Sequence, residues 1–303
     1  MAILAHGRIS EIGLERRDRR RSRVDRIYLA WLGGAAVSVC LVVFGIIGYI
    51  VYQGAPAISW QFLSSPPIEG MSGGGIWPMI RGSLLLMAGT MVLSLPLGIL
   101  AGICLAEYAD QRPVLRLMRA CVTTLAGTPP IIYGLFGLAI FVLMFKFGVS
   151  LLAGWCTLTL FALPVIILST ETGIRQVPQT FIDGGLALGL TPWQTMRRII
   201  LPNAMSSILT GVVLAVSRAA GEATPILFTA GIYYYTGELQ LNVQTAFAPV
   251  ANLPYHLAEG YRQGTAIPEK IIWGTCLVLM LFILCLNLAA ILLRTRARRR
   301  QQW

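Results

Sequence analysis

Two charged residues of opposite sign lie four positions apart in an apolar stretch. They are Arg218 and Glu222, in the segment SRAAGEATP at residues 217–225. An arginine at the centre of a bilayer costs about 2.5–3.5 kcal/mol on insertion scales, so intramembrane charges are rarely without a role. On a continuous helix this spacing puts both side chains on one face. Because guanidinium donors suit tetrahedral oxyanions, the pattern predicts that Arg218 contacts an anion in transit while Glu222 holds Arg218 in position.

The neighbouring residues extend this prediction. We expect Gly221 and Pro225 to interrupt the helix, which frees backbone groups to line an anion path. Thr224 lies between them and belongs with Arg218 and Glu222 to the predicted substrate path. An alternative stays open, in which Arg218 and Glu222 form an ion pair that only fixes this helix against a neighbour.

The composition indicates an integral membrane protein. Of its 303 residues, 56% are hydrophobic and 12% are charged, whereas soluble domains have about 25% charged residues. A helix needs about 20 apolar residues to cross a bilayer core. We therefore predict an all-α integral membrane protein with six transmembrane helices. The predicted spans are Ile27–Tyr52, Ile80–Ala106, Ala120–Phe145, Leu151–Ser169, Ala204–Ala230 and Ile271–Leu293.

The charge distribution indicates how the chain is oriented. The net charge is +11, and arginines are concentrated in residues 1–26 and 294–303. Short cytoplasmic segments are enriched in lysine and arginine, and an even number of spans puts both termini on one side. We therefore expect both basic tails and the loop 170–203 to be cytoplasmic, the first transmembrane helix to be 27–52, and the segment 53–79 to lie on the outer side.

Two other interpretations of the basic N-terminal segment are less consistent with the sequence. A basic tail can bind nucleic acid, but the adjoining apolar span favours a role in membrane topology. RRDRRRSRVDR also resembles a twin-arginine export signal. The apolar run that follows is too long for a signal peptide and has no small-residue cleavage site after it, so we expect a retained first span.

Two prolines in the third span predict an irregular helix. Pro129 and Pro130 lack backbone donors, so the helix must bend or break there. A broken helix at membrane depth must face protein or a water-filled cavity. The alternative is that the two prolines only mark the start of a helix at the cytoplasmic surface.

The loop 170–203 contains a predicted helix–turn–helix. Pro178 suits the first turn of a helix, and Gly189 can end that helix in the left-handed conformation. Thr191 is a good N-cap for a second helix and can form a capping box with Gln194. DNA-binding modules share this shape, but the unit has few basic residues and lies between two membrane spans, which disfavours nucleic acid as a partner.

Two adjacent glycines, Gly184 and Gly185, fall inside the first of these helices. Each costs about 1 kcal/mol relative to alanine in a helix interior. Close approach by the surface of another protein would compensate for this cost. Alternatively, the pair is merely tolerated on a short surface helix.

The spacing of this loop is similar to that of the permease subunits of binding-protein-dependent ABC importers. Their pattern is Glu-Ala-Ala, three residues, Gly, nine residues, Ile, one residue, Leu-Pro. This chain matches the spacing but departs from the first three letters, with Asp183-Gly184-Gly185. Within that superfamily, RAAGEATPILFTAG, GTPPIIYGLFGL, GGGIWPMIRGSLL and LPYHL resemble the A-type subunit of the phosphate-specific permeases. The resemblance covers about residues 73–290. In ILSTET, Leu168 stands where such chains often have an arginine, so the partner subunit would carry more of the positive field.

The resemblance implies a MetI-like ABC importer permease fold at residues 80–293, in the bacterial inner membrane, that imports inorganic phosphate. It implies as partners a homologous C-type permease subunit, a cytoplasmic ATPase dimer and a periplasmic phosphate-binding protein, besides membrane lipid. It also assigns Arg218 and Glu222 to the translocation path. No cofactor or metal is expected. The residues expected to couple to the ATPase are Asp183, Gly184, Gly185, Gly189, Leu201 and Pro202.

Enzyme classes lack their motifs. Neither Lys146 nor Lys270 follows a P-loop, so a separate ATPase must power transport. HExxH and GxSxG are also absent, and we expect no catalysis by this chain. The glycine-rich GMSGGGIWP is interpreted as a flexible re-entry into the second span. The segment LPYHL is expected to touch the binding protein or cap the outer gate, with His256 as an interfacial polar group.

Two rival functions remain. One is an ABC permease for another oxyanion or solute. The other is a membrane scaffold or sensor without translocation, which would need neither the spacing of the loop nor intramembrane charges.

Overall fold

The structure of the protein, a computed structural model, describes residues 2–68, 73–109, 112–232, 243–262 and 267–299. Within this part, five helices are long and apolar enough to cross a membrane, and one bent helix pair raises the number to six. The predicted all-α fold with six spans is therefore confirmed. The chain divides into two compact units, Met1–Gln53 and Gly54–Trp303, which are described separately.

The first unit is formed by a single helix, α1 (Ala2–Gly54). The apolar part of this helix contributes to the first span, Tyr28–Ala57. The basic N-terminal segment is thus helical in its backbone and continues directly into that span. A retained first span, as predicted, is consistent with this continuity.

The second unit contains the remaining spans. Its longer helices are α3 (Trp77–Tyr108), α4 (Pro113–Ala126), α5 (Pro130–Gly137, continued by a π-helical segment Leu138–Met144), α6 (Leu151–Arg175), α7 (Gln179–Ala187), α9 (Leu201–Gly221), α12 (Leu253–Arg262) and α13 (Glu269–Arg299). The shorter elements are a 3₁₀ turn (Ala55–Ala57), α2 (Trp60–Ser64), strands β1 (Pro67–Ile68) and β2 (Gly73–Gly74), α8 (Pro192–Thr195), a π-helical segment (Met196–Ile200), α10 (Thr224–Thr229) and α11 (Val243–Ala246).

Helix α6 is the centre of the second unit. The most apolar part of α6 is 61% buried, whereas the corresponding part is 28% buried in α3, 28% in the span Pro192–Gly221 and 6% in α13. Small residues allow the neighbouring helices to approach it, as is usual between helices in membranes. On α3, a side chain at Gly102 would collide with Thr170 of α6. On α9, one at Gly211 would collide with Ser169.

The third span is a broken helix. Helices α4 and α5 meet at an angle of 110° across the break that contains Pro129, so the prediction of a bend or break is confirmed. The predicted span Ala120–Phe145 is divided between the two helices, because Ala120–Ala126 belong to α4 and the part from Pro130 onward forms α5 and the π-helical segment that follows it. The loop after α3 is correspondingly helical over most of its length.

Part of the glycine-rich segment before α3 is ordered as a hairpin. Strand β2 pairs antiparallel with β1, and Gly74 has φ +84°, a conformation that glycine adopts without strain. A side chain at Gly74 would also meet the carbonyl of Pro66. Residues 69–72, which include the first three residues of GMSGGGIWP, lie outside the described residues.

Candidate functional site

The predicted substrate path lies at a break between two helices. Helix α9 ends at Gly221, Glu222 is extended with φ −85° and ψ 118°, and α10 begins at Thr224. Pro225 lacks the N–H that would bond to the carbonyl of Gly221 in a continuous helix, and its ring would clash with that carbonyl. The interruption predicted at Gly221 and Pro225 is therefore present.

Arg218 and Glu222 do not share a helix face. Because α9 ends between them, the expectation of one continuous face is wrong. Among the described residues, no ion pair joins Arg218 to Glu222. Arg218 is exposed in the last turn of α9, and Glu222 is half-buried. A salt bridge between Glu222 and Arg218 is therefore absent from this part of the chain, while the place of both residues in the substrate path stays a prediction.

An aromatic ring takes the place expected for the carboxylate. The guanidinium carbon of Arg218 lies 5.0 Å from the ring centroid of Phe161 on α6. Phe161 in turn makes an edge-to-face contact with Tyr133 on α5, with centroids 5.4 Å apart and planes at 86°. Arginine over an aromatic face is a favourable cation–π contact. Sequence reasoning missed Phe161 and Tyr133 because both belong to other spans.

Thr224 is positioned by close packing between α10 and α5. A side chain at Gly134 of α5 would meet the carbonyl oxygen of Thr224 at 3.0 Å and Phe228 at 3.0 Å. Glycine at this position therefore lets the two short helices touch. Arg218, Glu222 and Thr224 all lie within or beside the same helix break.

The predicted helix–turn–helix is present in the loop 170–203. Helix α7 ends in a Schellman motif: Gly189 has φ +79°, its N–H donates to Leu186, and the N–H of Leu190 donates to Gly185. Thr191 and Gln194 form the predicted capping box, with bonds of 3.3 Å and 2.9 Å. Pro178 is the N-cap of α7 and not its first helical residue.

The two glycines of α7 have different surroundings. Gly185 is buried, and a side chain there would meet Ile199 at 2.5 Å, so contact within the chain explains this glycine. Gly184 is exposed, and within the described part of the chain no atom lies within 4 Å of an added side chain. Asp183 is also exposed and accepts a bond from the Gln179 amide at 3.2 Å. Asp183 and Gly184 thus belong to an open surface.

Leu201 and Pro202 lie at the start of α9, directly after the π-helical segment Met196–Ile200. Pro202 has no N–H to continue the regular hydrogen-bond ladder, and the Asn203 amide instead donates to the Ile199 carbonyl at 2.7 Å. Large apolar side chains are exposed around the turn, which is unusual for a surface loop. They are Phe181, Leu186, Leu188 and Trp193.

One helical run connects the turn after Gly189 with the helix break at Glu222, and Leu201 and Pro202 lie within it. The helical run Pro192–Gly221 has 30 residues, which corresponds to about 45 Å at the usual rise per residue. Its first turn carries the capping box, and its last turn carries Arg218. A movement of the turn can thus be transmitted to the helix break through one element.

A buried ion-pair cluster at the other end of α6 was not predicted. Glu171 is 8% exposed and accepts from Arg119 of α4 at 2.7 Å and from Arg175 at 3.2 Å. Arg119 also donates to the carbonyl of Leu105 on α3 at 3.2 Å. The spacing of Glu171 and Arg175 on one helix was a visible signal, whereas the contact from Arg119 depends on the tertiary fold.

The segment LPYHL is buried at the start of α12. Leu253, Pro254 and His256 are buried, and the N–H of Leu253 donates to Ser83 of α3 at 2.9 Å. His256 is 3% exposed, so it is not an interfacial group, and burial lowers its pKa from 6.5 to about 4. Tyr255 and Leu257 of the segment are only partly buried, so contact of the segment with a binding protein and capping of the outer gate both stay predictions.

No metal-binding cluster was found in the part of the chain that the structure describes. There, no group of three or more His, Cys, Asp or Glu residues lies close enough to hold an ion. The six cysteines are free thiols. The arrangement of charged groups therefore offers ion pairing and anion contact, but no assembled set of metal ligands in this part.

The chain has several membrane spans, and one of them is interrupted beside an exposed arginine. A capped turn lies between two spans. These features are typical of a membrane-embedded transport subunit. The chain belongs to the family described as binding-protein-dependent transport system inner membrane component, whose model matches residues 94–302. It is an ABC importer permease subunit, and such subunits are not themselves catalytic. Permeases of this family act with another permease, an ATPase and a substrate-binding protein.

Several curated relatives are similar over most of the chain. The probable ABC transporter permease protein YqgI of Bacillus subtilis (strain 168) is 34% identical over 282 residues, which are 89% of this chain and 95% of the relative. The phosphate transport system permease protein PstA 2 of Mycobacterium bovis (strain ATCC BAA-935 / AF2122/97) is 31% identical, with 93% and 91% covered. The phosphate transport system permease protein PstA of Yersinia pestis is 34% identical, with 76% and 75% covered.

Solved structures share the fold at low sequence identity. A bacterial ABC transporter involved in the import of the acidic polysaccharide alginate has a TM-score of 0.64 at 14% identity, covering 94% of this chain and all of that one. An inward-facing MetNI methionine ABC transporter has a TM-score of 0.56 at 17% identity, with 74% and 94% covered. These likenesses support the fold alone.

Proposed function

We propose that this permease imports inorganic phosphate. The observation that carries the proposal is Arg218, an exposed guanidinium at an interruption of a membrane span, where a permanent positive charge can contact an oxyanion. The similarity to phosphate transport system permeases supports the choice of anion. Glu222 and Thr224 complete the proposed path. The Glu222 carboxylate accepts hydrogen bonds from protonated oxygens of the anion. Thr224 offers its hydroxyl, together with the backbone groups freed by the helix break.

The partners follow from the same proposal. A homologous C-type permease forms the other half of the path, and a periplasmic phosphate-binding protein delivers the anion. Both termini and the turn at α7–α8 face the cytoplasm, in keeping with the arginines at both ends of the chain. A cytoplasmic ATPase dimer binds the turn through Asp183, Gly184 and the exposed apolar side chains beside them.

Coupling uses the continuous element between the two regions. Closure of the ATPase moves α7 and the turn ending at Gly189. Leu201 and Pro202, at the start of α9, pass the movement along the span to Arg218. Access to the helix break then alternates between the two sides of the membrane.

The coupling surface is tested at Gly184, where an added side chain meets nothing in the described chain. Gly184→Trp is expected to lower ATPase activity stimulated by loaded binding protein by roughly tenfold, because it obstructs docking in the partner. Gly184→Ala is the matched control and retains activity. Full activity of Gly184→Trp in an assembled complex would contradict docking through this surface.

A second candidate is a permease for another solute, because one relative is named only as a probable ABC permease and the fold neighbours import alginate or methionine. Uptake of radioactive phosphate by proteoliposomes holding the complete importer separates the candidates. We expect unlabelled phosphate to compete and sulfate, molybdate and phosphonate to compete weakly. Saturable uptake of one of the other anions, without uptake of phosphate, would overturn the proposal.

A further inference from the structure

The orientation of Arg218 needs a cause other than Glu222. A long side chain loses substantial rotamer freedom when it is held in one position. The guanidinium carbon of Arg218 lies over the face of Phe161, 5.0 Å from the ring centroid. This distance is within the range of about 6 Å at which a cation and a ring attract each other.

Phe161 is itself firmly held. It is 4% exposed, on the most buried span of the second unit. Tyr133, 6% exposed, packs against it edge to face at 5.4 Å. Edge-to-face pairs of this kind fix the orientation of both rings. The face presented to Arg218 is therefore set by two spans, α5 and α6.

The hydroxyl of Tyr133 ties this pair to the bend in the third span. It donates to the carbonyl of Leu125 at 2.7 Å. Leu125 lies in the last turn of α4, and its carbonyl also accepts from the N–H of Thr128 at 2.9 Å. The Tyr133 side chain thus joins α4 to α5 across the break while its ring packs against Phe161.

An aromatic support has a chemical advantage over a carboxylate at this position. A carboxylate accepts from guanidinium donors and neutralises the charge, often through two parallel bonds. A ring face attracts the cation without a carboxylate's lone pairs, so the donors stay available to an oxyanion. The arrangement therefore orients Arg218 and leaves its charge and donors uncommitted.

We propose that Phe161 and Tyr133 are positioning residues for Arg218, which hold its guanidinium in the anion path. This inference rests on the proposed function, since it assumes that Arg218 contacts the transported anion. It assigns to Phe161 the role that sequence spacing gave to Glu222.

The test compares variants in the complete importer, reconstituted in proteoliposomes and supplied with phosphate-loaded binding protein. Phe161→Leu keeps an apolar side chain but removes the ring, and we expect phosphate uptake at saturation to fall about tenfold. Phe161→Tyr keeps the ring and should retain uptake within about twofold, values that follow from the strength of cation–π contacts. Equal uptake by Phe161→Leu and Phe161→Tyr would overturn the proposal, because a packing role does not require a ring.

A double-mutant cycle shows whether Phe161 acts through Arg218. The thermal midpoint of the purified complex is measured for Phe161→Leu, Arg218→Gln and the double variant. Coupled residues give non-additive shifts, whereas additive shifts would overturn the proposal. If Phe161→Leu does not assemble, Tyr133→Phe decides: it removes only the hydroxyl, and we expect about a twofold loss of uptake, while unchanged uptake would overturn the positioning role.

The outcome for Arg218→Gln separates this inference from the proposed function. Loss of uptake in Arg218→Gln with normal uptake in Phe161→Leu leaves the anion path standing and overturns the positioning role. Normal uptake in Arg218→Gln overturns the proposed path and this inference with it.

Discussion

Two pairs of oppositely charged residues in this molecule have the same spacing and different structures. Glu171 and Arg175 on α6 form a salt bridge at 3.2 Å, to which Arg119 adds a second at 2.7 Å. Arg218 and Glu222 have the same separation in sequence, but among the described residues they form no ion pair. The first pair lies on a continuous helix, whereas α9 ends between the members of the second.

Helix continuity therefore determines whether opposite charges four residues apart form a salt bridge. On α6 the acid precedes the base, which is the favourable order, and Arg175 lies in the last turn, where a cation complements the helix dipole. Arg218 also lies in the last turn of its helix and gains the same interaction. This interaction offsets part of the cost of the charge, and without a salt bridge to Glu222 the guanidinium donors stay available for an anion.

The largest expected effect comes from removing the buried carboxylate. Glu171→Ala leaves Arg119 and Arg175 without their shared partner, and we expect a loss of about 3 kcal/mol, since breaking a buried pair is strongly destabilising. The thermal midpoint of the purified complex checks this. Glu222→Ala is the matched control and should change the midpoint little. Similar falls in thermal midpoint for both variants would show that the salt bridges of Glu171 do not stabilise the fold.

A buried imidazole in α12 extends the comparison to a group that titrates near neutral pH. Burial lowers the pKa of His256 to about 4. The unfolded chain therefore takes up a proton below about pH 6.5 while the folded chain does not. We expect full stability above this pH and a progressive loss toward pH 4, at most about 3 kcal/mol.

The control for this prediction is His256→Gln, which cannot titrate. The difference in thermal midpoint between wild type and His256→Gln should shrink as the pH falls from 7 to 4.5. A difference that stays constant over this range would contradict a neutral buried imidazole.

The two glycines of α7 test whether tertiary contact or helix propensity determines the effect of an alanine on stability at adjacent positions. Gly184→Ala adds a methyl group in open space and should raise stability by up to about 1 kcal/mol. Gly185→Ala pushes against Ile199 and should lower stability by about 1 kcal/mol. Thermal midpoints check both, and equal shifts of one sign would refute the distinction.

The smallest effect is expected at the end of α9. Gly221→Ala adds a side chain that meets only Ile283, at an ordinary 3.5 Å. Because Pro225 still prevents a continuous helix, Arg218 and Glu222 should stay unpaired and the stability should change by less than about 0.5 kcal/mol. A large rise in midpoint with loss of uptake would indicate that Gly221 alone maintains the break.

Local sequence signals predicted much of the fold. The spans, the break near Pro129, the capping box at Thr191 and the left-handed Gly189 all depend on neighbouring residues, and the structure has each of them. Interactions between distant elements were not predictable in this way. The contacts of Arg119 with Glu171 and of Phe161 with Arg218 join different helices, and no local pattern specifies which helices meet.

The burial of the LPYHL segment also could not be predicted from the local sequence. The helix that begins with this segment also carries Glu259 and Arg262, which is compatible with a surface helix. The bond from Leu253 to Ser83 places its start against α3 instead. Such docking depends on the packing of the whole bundle.

Uptake of phosphate by proteoliposomes holding equal amounts of assembled importer, with Arg218→Gln compared with Arg175→Gln, tests the central claim most directly. We expect Arg218→Gln to lower uptake at least about tenfold with only the small fall in thermal midpoint that follows from losing the Phe161 contact, while Arg175→Gln lowers the midpoint more and retains most uptake. Wild-type uptake by Arg218→Gln would contradict the claim that the unpaired charge at the helix break contacts the transported anion.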